Sequence, residues 1–296
     1  MVDRYACRAM KLQVADRTID CTNRTAIMAI LNIATDSPVA ESVVAVDEAL
    51  RRSARLREAG AEIIDVGAHS TRTGGESVSE QAEIDRVCPV IEALQDDGQI
   101  VSVDTWSGRV AAAAARAGAH VLNDVTGGSD AEMARVARDH ALPLIVMHMR
   151  GRPKEHRDVD QTYDDVAAEV RQFLAARIAT LAESGVADIW IDPGFEFAKS
   201  AADNVRMLQE IPSFRSLDRP VVISASRKSF LAELLGYQKM PSEDVQAVPG
   251  LAEATLAFNV LAANLGVHIV RVHDVETVAP AIQLVNSVRA VMAESA

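Results

Sequence analysis

Eight short apolar runs punctuate the chain, and each ends in a polar or ionisable residue. The runs are 26–31 before Asn32, 62–67 before His69, 100–103 before Asp104 and 120–122 before Asn123. They continue with 142–147 before His148, 189–191 before Asp192, 220–226 before Arg227 and Lys228, and 269–272 before His273. Buried parallel strands read as continuous apolar segments. A charge at the end of each has a use where eight strands stop together, at the mouth of a barrel. Between the runs lie helix-length stretches with apolar residues at three- and four-residue spacing: 42–59, 79–94, 166–184, 251–265 and 275–292. The segment from Ser79 to Glu83 reads as a capped helix start.

Four segments repeat one pattern of helix end, glycine, then apolar run, around Gly60, Gly118, Gly185 and Gly266. Glycine just past a helix permits the left-handed conformation that ends it. Helix, glycine and strand in succession form the returning half of a βα unit. The reading is therefore an α/β protein, a (β/α)8 TIM barrel over residues 23–296 as a single domain. Residues 11–14 and 18–21 alternate apolar and polar around Ala15-Asp16-Arg17, which reads as a hairpin. Segment 1–22 is thus expected to close the bottom of the barrel.

Composition narrows the partners. Net charge is −12, and no basic stripe appears, which disfavours nucleic acid. No apolar run of membrane-spanning length occurs, so no membrane partner is expected. Three cysteines, Cys7, Cys21 and Cys88, with no Cys-x-x-Cys, signal neither a disulfide framework nor a zinc site. A reducing cytoplasm is the default location. Aromatics are only 4%, so Ala, Val, Ile and Leu must build the core.

The strand ends gather Asn32, His69, Asp104, Asn123, His148, Asp192, Lys228, Arg271 and His273. Singly, an Asp at a strand end is more often a helix cap than a catalytic group. Together, Asp104, Asn123 and Asp192 offer acceptors and an amide that suit a flat heterocycle with an amino-amidine edge, such as a pterin. Lys228 adds a donor and a positive charge. A metal pair at Asp104 and Asp192 is the rival reading, but the set lacks the clustered His or third carboxylate of a firm cage. Arg72, Arg271 and His273, with Asn32 nearby, could hold phosphate oxygens. Arg271 and His273 share one strand face because side chains alternate. The alternative for Arg271 is an inward guanidinium paired to a neighbouring carboxylate.

The motifs resemble those of the dihydropteroate synthase family over nearly the whole chain. They are Met28-Ala29-Ile30-Leu31-Asn32, Ser70-Thr71-Arg72, Ser102-Val103-Asp104-Thr105 and Gly118-Ala119-His120-Val121-Leu122-Asn123-Asp124. Then come Met147-His148-Met149-Arg150-Gly151, Asp192-Pro193-Gly194-Phe195, Ser226-Arg227-Lys228-Ser229-Phe230 and Arg271-Val272-His273-Asp274-Val275. The resemblance implies a transferase of folate biosynthesis that joins 6-hydroxymethyl-7,8-dihydropterin pyrophosphate to p-aminobenzoate and releases pyrophosphate. It implies pterin contacts at Asp104, Asn123, Asp192 and Lys228, and a pyrophosphate grip at Arg271 and His273, with Arg72 reaching in. It implies acceptor contacts at Thr71 and Ser229, Mg2+ held with the help of Asn32, and a homodimer through the last helices. Leu261, Leu284, Val288 and Val291 are candidate dimer contacts; packing against the barrel explains them equally well.

Three segments depart from the family pattern. The first loop reads Asn32-Ile33-Ala34-Thr35-Asp36-Ser37-Pro38-Val39-Ala40-Glu41, where the family has Asn-Val-Thr-Pro-Asp-Ser-Phe-Ser-Asp-Gly-Gly. Pro38 and Ala40-Glu41 replace the family's Phe and its second Asp and following Gly, so that loop is expected to be stiffer. His69 stands where the family has Glu, and Gly194-Phe195-Glu196-Phe197-Ala198-Lys199 replaces Gly-Phe-Gly-Phe-Gly-Lys. The pterin pocket reads as intact and the acceptor pocket as rebuilt. Alternatives are a paralogue using another amine, a non-catalytic pterin-binding subunit, and a methyl-tetrahydrofolate methyltransferase. The last needs no pyrophosphate grip.

Overall fold

The computed structural model describes residues 10–33, 42–68, 78–153, 155, 159–240 and 242–294. A hairpin, β1 (Lys11–Val14) and β2 (Arg17–Asp20), opens it. Its second strand starts one residue earlier than alternation alone predicts, because Ala15 takes a positive φ of 54° and tightens the turn. Strands and helices then alternate: β3 (Ala26–Asn32), α1 (Ser42–Glu58), β4 (Ile63–Gly67), α2 (Glu80–Asp96), β5 (Val101–Asp104), α3 (Gly108–Arg116) and β6 (Val121–Asp124). Next are α4 (Ala131–Asp139), β7 (Leu144–Met147), α5 (Val166–Glu183), β8 (Ile189–Asp192), α6 (Ala201–Gln209) and the short α7 (Ile211–Phe214). The chain finishes with β9 (Val222–Ile223), α8 (Ser229–Leu234), α9 (Ser242–Val245), α10 (Leu251–Asn264), β10 (Ile269–Val272) and α11 (Val275–Glu294).

Eight parallel strands run in the order β8-β7-β6-β5-β4-β3-β10-β9. A bridge between Ile191 and Val221, with Ile191 N–H donating to Pro220 O at 2.9 Å, joins the two edges. The sheet is a TIM barrel. At that seam only Val222 and Ile223 of the 220–226 run keep the strand ladder. The chain then bends, and Arg227 has φ 57°.

Side-chain parity divides the barrel. Outward residues such as Ile64, Val66, Val103, Leu122, Val146, Ile191 and Val270 pack beneath the helices. Inward residues near the strand starts, Ala26, Met28, Ile63, Ile100, Val121, Ile145, Trp190, Val222 and Ile269, form a second apolar cluster. Leu12, Val14, Ile19 and Cys21 of the hairpin segment join that cluster and are buried. Further up, the same inward register turns polar on six of the eight strands, at Asp65, Ser102, Asp104, Asn123, Asp192, Ser224 and Arg271, while β3 and β7 keep Ile30 and Met147. The apolar floor is filled, so chemistry is left to the upper rim.

Local signals set the element ends. The Oγ of Ser79 accepts from Ala82 N–H, and Ser200 and Asp203 form a reciprocal capping box at α6. The four repeated glycines have φ of 115°, 98°, 87° and 94°, the left-handed conformation their sequence context demands. No described helix is long and apolar enough to cross a membrane.

Candidate active site

Arg271 occupies the middle of the rim. Its Nε donates to Asp65 Oδ2 at 2.6 Å and its Nη2 to Asp104 Oδ2 at 2.5 Å, while Nη1 lies 3.4 Å from Ser224 Oγ. Asn123 Nδ2 donates to the same Asp65 oxygen at 3.1 Å. One guanidinium thus ties together β4, β5 and β10, with β6 joined through the amide. Burial works against the charge on Arg271; the carboxylates of Asp65 and Asp104 outweigh it and raise the guanidinium above its ordinary value. The sequence left two readings of Arg271, a phosphate grip or an inward ion pair. In this structure it is the ion pair. A guanidinium has five N–H donors, so these contacts leave capacity for an anion.

Asp65 is the residue that sequence reasoning missed. It is completely buried, and its Oδ1 has no hydrogen-bond partner among the described residues. A buried acceptor in that state is one that a ligand N–H can satisfy. The available signal was parity: in Ile63-Ile64-Asp65 a carboxylate occupies the inward register of an otherwise apolar strand.

Around this centre stand Asp104, Asn123, Asp192 and Lys228. Asp104 and Asn123 are direct register partners across β5 and β6. Burial raises the Asp104 carboxyl against the pull of Arg271. Burial likewise pushes Asp192 up to about 6, although its Oδ1 accepts from Gly194 N–H at 2.7 Å. Lys228 is within electrostatic reach of both carboxylates and lies over the Phe197 ring at 4.5 Å. Gly67 makes room at this rim. A Cβ there would lie 3.4 Å from Asp104 Cβ and 3.8 Å from Asn32 Oδ1, so the Asn32 amide and Asp104 both flank Gly67.

Two loops complete the site. After β8, Gly194, Glu196 and Ala198 all have positive φ, at 72°, 78° and 52°. Lys199 staples that loop from behind. Its Nζ donates to Gly194 O at 2.8 Å and Phe197 O at 2.9 Å, and lies 2.9 Å from His148 Nδ1. Burial lowers His148 to about 2, so the neutral ring accepts that third proton. His148 was expected in the mouth. It instead packs edge-on against Phe173 of α5 at 4.9 Å, because the residue after inward Met147 must point outward.

After β9, Glu196 reaches the second loop. Its Oε1 accepts from Ser229 N–H at 3.0 Å and also from Ser229 Oγ, and its Oε2 lies 3.5 Å from Lys228 Nζ. His273 Nδ1 lies 2.9 Å from Ser226 Oγ. Burial, then the cations Arg271, Arg227 and Lys228, lower His273 to about 3. At neutral pH it can offer a hydrogen bond and no charge. Arg227 is paired to Asp274.

The structure therefore brings Asn32, Asp104, Asn123, Asp192, Lys228, Ser229, Arg271 and His273 to one end of the barrel. Thr71, Arg72 and His69, and the altered stretch Ala34, Thr35, Pro38, Ala40 and Glu41, lie outside the described residues. The site can bind a flat polar ring through carboxylates, an amide and an ammonium, with cations beside it for an anion.

Residues 28–273 match the model of the family described as pterin binding enzyme. The chain is 36% identical over 273 residues to the dihydropteroate synthase of Synechocystis sp., covering 90% of this chain and 91% of that one. It is similar to the Thermus thermophilus dihydropteroate synthase in complex with 4-aminobenzoate, with TM-score 0.81 and 34% identity over 94% of this chain and 99% of that one. It is also similar to the Xanthomonas albilineans enzyme in complex with 7,8-dihydropteroate, with TM-score 0.77 and 34% identity over 95% of this chain and 98% of that one.

Proposed function

We infer, from the premise that this chain belongs to the pterin-binding enzyme family and within it to the dihydropteroate synthases, that it is a transferase of folate biosynthesis. It condenses 6-hydroxymethyl-7,8-dihydropterin pyrophosphate with p-aminobenzoate. The observation that carries this is the polar upper layer of the barrel, where Asp104, Asn123, Asp192 and Lys228 surround the Arg271 pair with Asp65.

In this reading the carboxylates of Asp192 and Asp104 accept N–H groups from the pterin's amino-amidine edge. Asn123 both donates and accepts, and Lys228 donates to a ring oxygen or nitrogen. Arg271 and neutral His273, with Arg72, hold the diphosphate. The bond between the pterin methylene carbon and the diphosphate oxygen breaks, and pyrophosphate leaves with the electron pair. The acceptor's amine nitrogen forms the new bond to that methylene and releases a proton to solvent. Fixed cations around the departing charge are expected to contribute the largest catalytic effect.

Mg2+ fits this arrangement in a limited way. Asn32 offers one neutral amide oxygen at the rim, and a hard cation that keeps waters and shares diphosphate oxygens needs few protein ligands. When bound, it would neutralise charge on the leaving group. A homodimer is proposed through α10 and α11. Leu261, Leu284, Val288 and Val291 are 53%, 66%, 47% and 64% exposed, so packing against the barrel does not account for them. Cys21 and Cys88 are free thiols, which suits a cytoplasmic site of action.

The test is condensation of the pterin pyrophosphate with p-aminobenzoate at saturating Mg2+, together with calorimetry of pterin binding. Product formation is expected. No product and no pterin binding would overturn the reading.

A further inference from the structure

Glu196 is the feature of this site that the proposed reaction does not use. It stands in the loop after β8 at φ 78°, a conformation that favours glycine. The backbone is held there nonetheless. Asn204 Oδ1 accepts from Glu196 N–H at 2.7 Å, and the Lys199 staple fixes the residues on either side. A side chain at a position where glycine fits best, on a loop this firmly fastened, is placed for what its carboxylate does.

That carboxylate is 15% exposed and lies among the donors at the edge of the ring site. It takes both hydrogen-bond donors of Ser229, backbone and hydroxyl, and approaches Lys228. A carboxylate on an incoming acceptor would look for the same partners. It would have to displace Glu196 or lie beside a like charge in a partly desolvated site, where repulsion is strong. A neutral carboxamide meets no such repulsion, and its N–H2 can donate to Glu196.

We propose that Glu196 is a specificity-determining residue that weakens the site's hold on the carboxylate of p-aminobenzoate and narrows its preference for that acid over neutral aryl amines carrying a hydrogen-bond donor on the side opposite the amine. This rests on the reading of Ser229 as an acceptor contact. The Glu196 carboxylate acts by occupying Ser229 and Lys228 and by its own charge. Its removal should therefore strengthen the hold on the acid.

The experiment measures kcat/KM for p-aminobenzoate and p-aminobenzamide at saturating pterin pyrophosphate, in wild type, Glu196→Gln and Glu196→Gly. Glycine suits the local φ, and glutamine keeps the side chain's size while removing its charge. Both variants should raise the acid-to-amide ratio, by about tenfold or more for Glu196→Gly, mainly through a lower KM for the acid. An unchanged ratio in both variants, with pterin binding intact, overturns the proposal and leaves the transferase reading standing. Failure of all three proteins to condense either amine or to bind the pterin overturns that reading, and this inference with it.

Discussion

The two sides of the barrel mouth are built differently. The side proposed to bind the ring stands on strands: Asp65, Asp104, Asn123 and Arg271 are fixed by the parallel ladder and cross-linked by one guanidinium. The side proposed to take the acceptor stands on loops, where Glu196 bridges to Ser229 and Lys228. Strand-borne groups cannot change without leaving a buried charge unpaired. Loop-borne groups tolerate replacement, and loops are where binding preferences drift on a rigid scaffold. The contrast recurs inside one loop. Gly194 and Glu196 both have positive φ, but a Cβ at Gly194 would lie 2.0 Å from His148 O, whereas Glu196 carries a full side chain into the site.

The sharpest challenge to this contrast is Arg271→Ala. It leaves Asp65 and Asp104 facing each other across the rim, so a destabilisation of about 3–5 kcal/mol is expected in denaturant unfolding, along with loss of condensation. Ser229→Ala, on the loop side, should cost no more than about 1 kcal/mol by the same measurement and raise the acceptor KM. Equal effects would erase the distinction between the two sides. Gly194→Ala comes next, with a loss of about 3 kcal/mol or more from backbone collision, read as a lower thermal midpoint.

A smaller effect is expected from pH. Asp192 has its carboxyl raised by burial to about 6, above its ordinary value of 3.8. In the proposed reading its ionised form accepts the pterin's N–H groups, so affinity should fall about tenfold per pH unit below 6 and not in Asp192→Asn. The sign for stability is opposite. The native state binds this proton more tightly than the unfolded chain, so stability from this group is fully present below 3.8 and is lost as pH rises through about 6. Titration calorimetry and unfolding of wild type and Asp192→Asn across roughly pH 4–7 read both slopes. Smallest is the stability change in Glu196→Gly. Relief of a left-handed non-glycine residue, about 1 kcal/mol, should nearly offset the hydrogen bonds lost to Ser229.

The same division governs what was legible before any coordinates. Strand ends followed from apolar runs and alternation, and the repeated glycines followed from helix endings. Asp104, Asn123, Asp192, Lys228 and Arg271 could therefore be assembled from the chain alone. Asp65 was hidden inside an apolar run. Its meaning depends on Arg271, 206 residues away, and no local pattern reports such a partner. His148 was placed in the mouth because it follows a strand, but alternation turns it outward, where it supports the Lys199 staple. The 220–226 run kept only two strand residues because it forms the closing seam. Glu196 was visible as a departure from the family pattern. Its reach to Ser229 and Lys228 was not, since that depends on how two separate loops meet.

Every functional step above requires one rim of the barrel to cradle a bicyclic ring beside a diphosphate. A crystal structure with the pterin pyrophosphate bound probes that requirement without any intermediate inference. The ring is expected between Asp104, Asn123, Asp192 and Lys228, with the diphosphate toward Arg271 and His273. A ring bound elsewhere, or none bound at saturating ligand, would refute it.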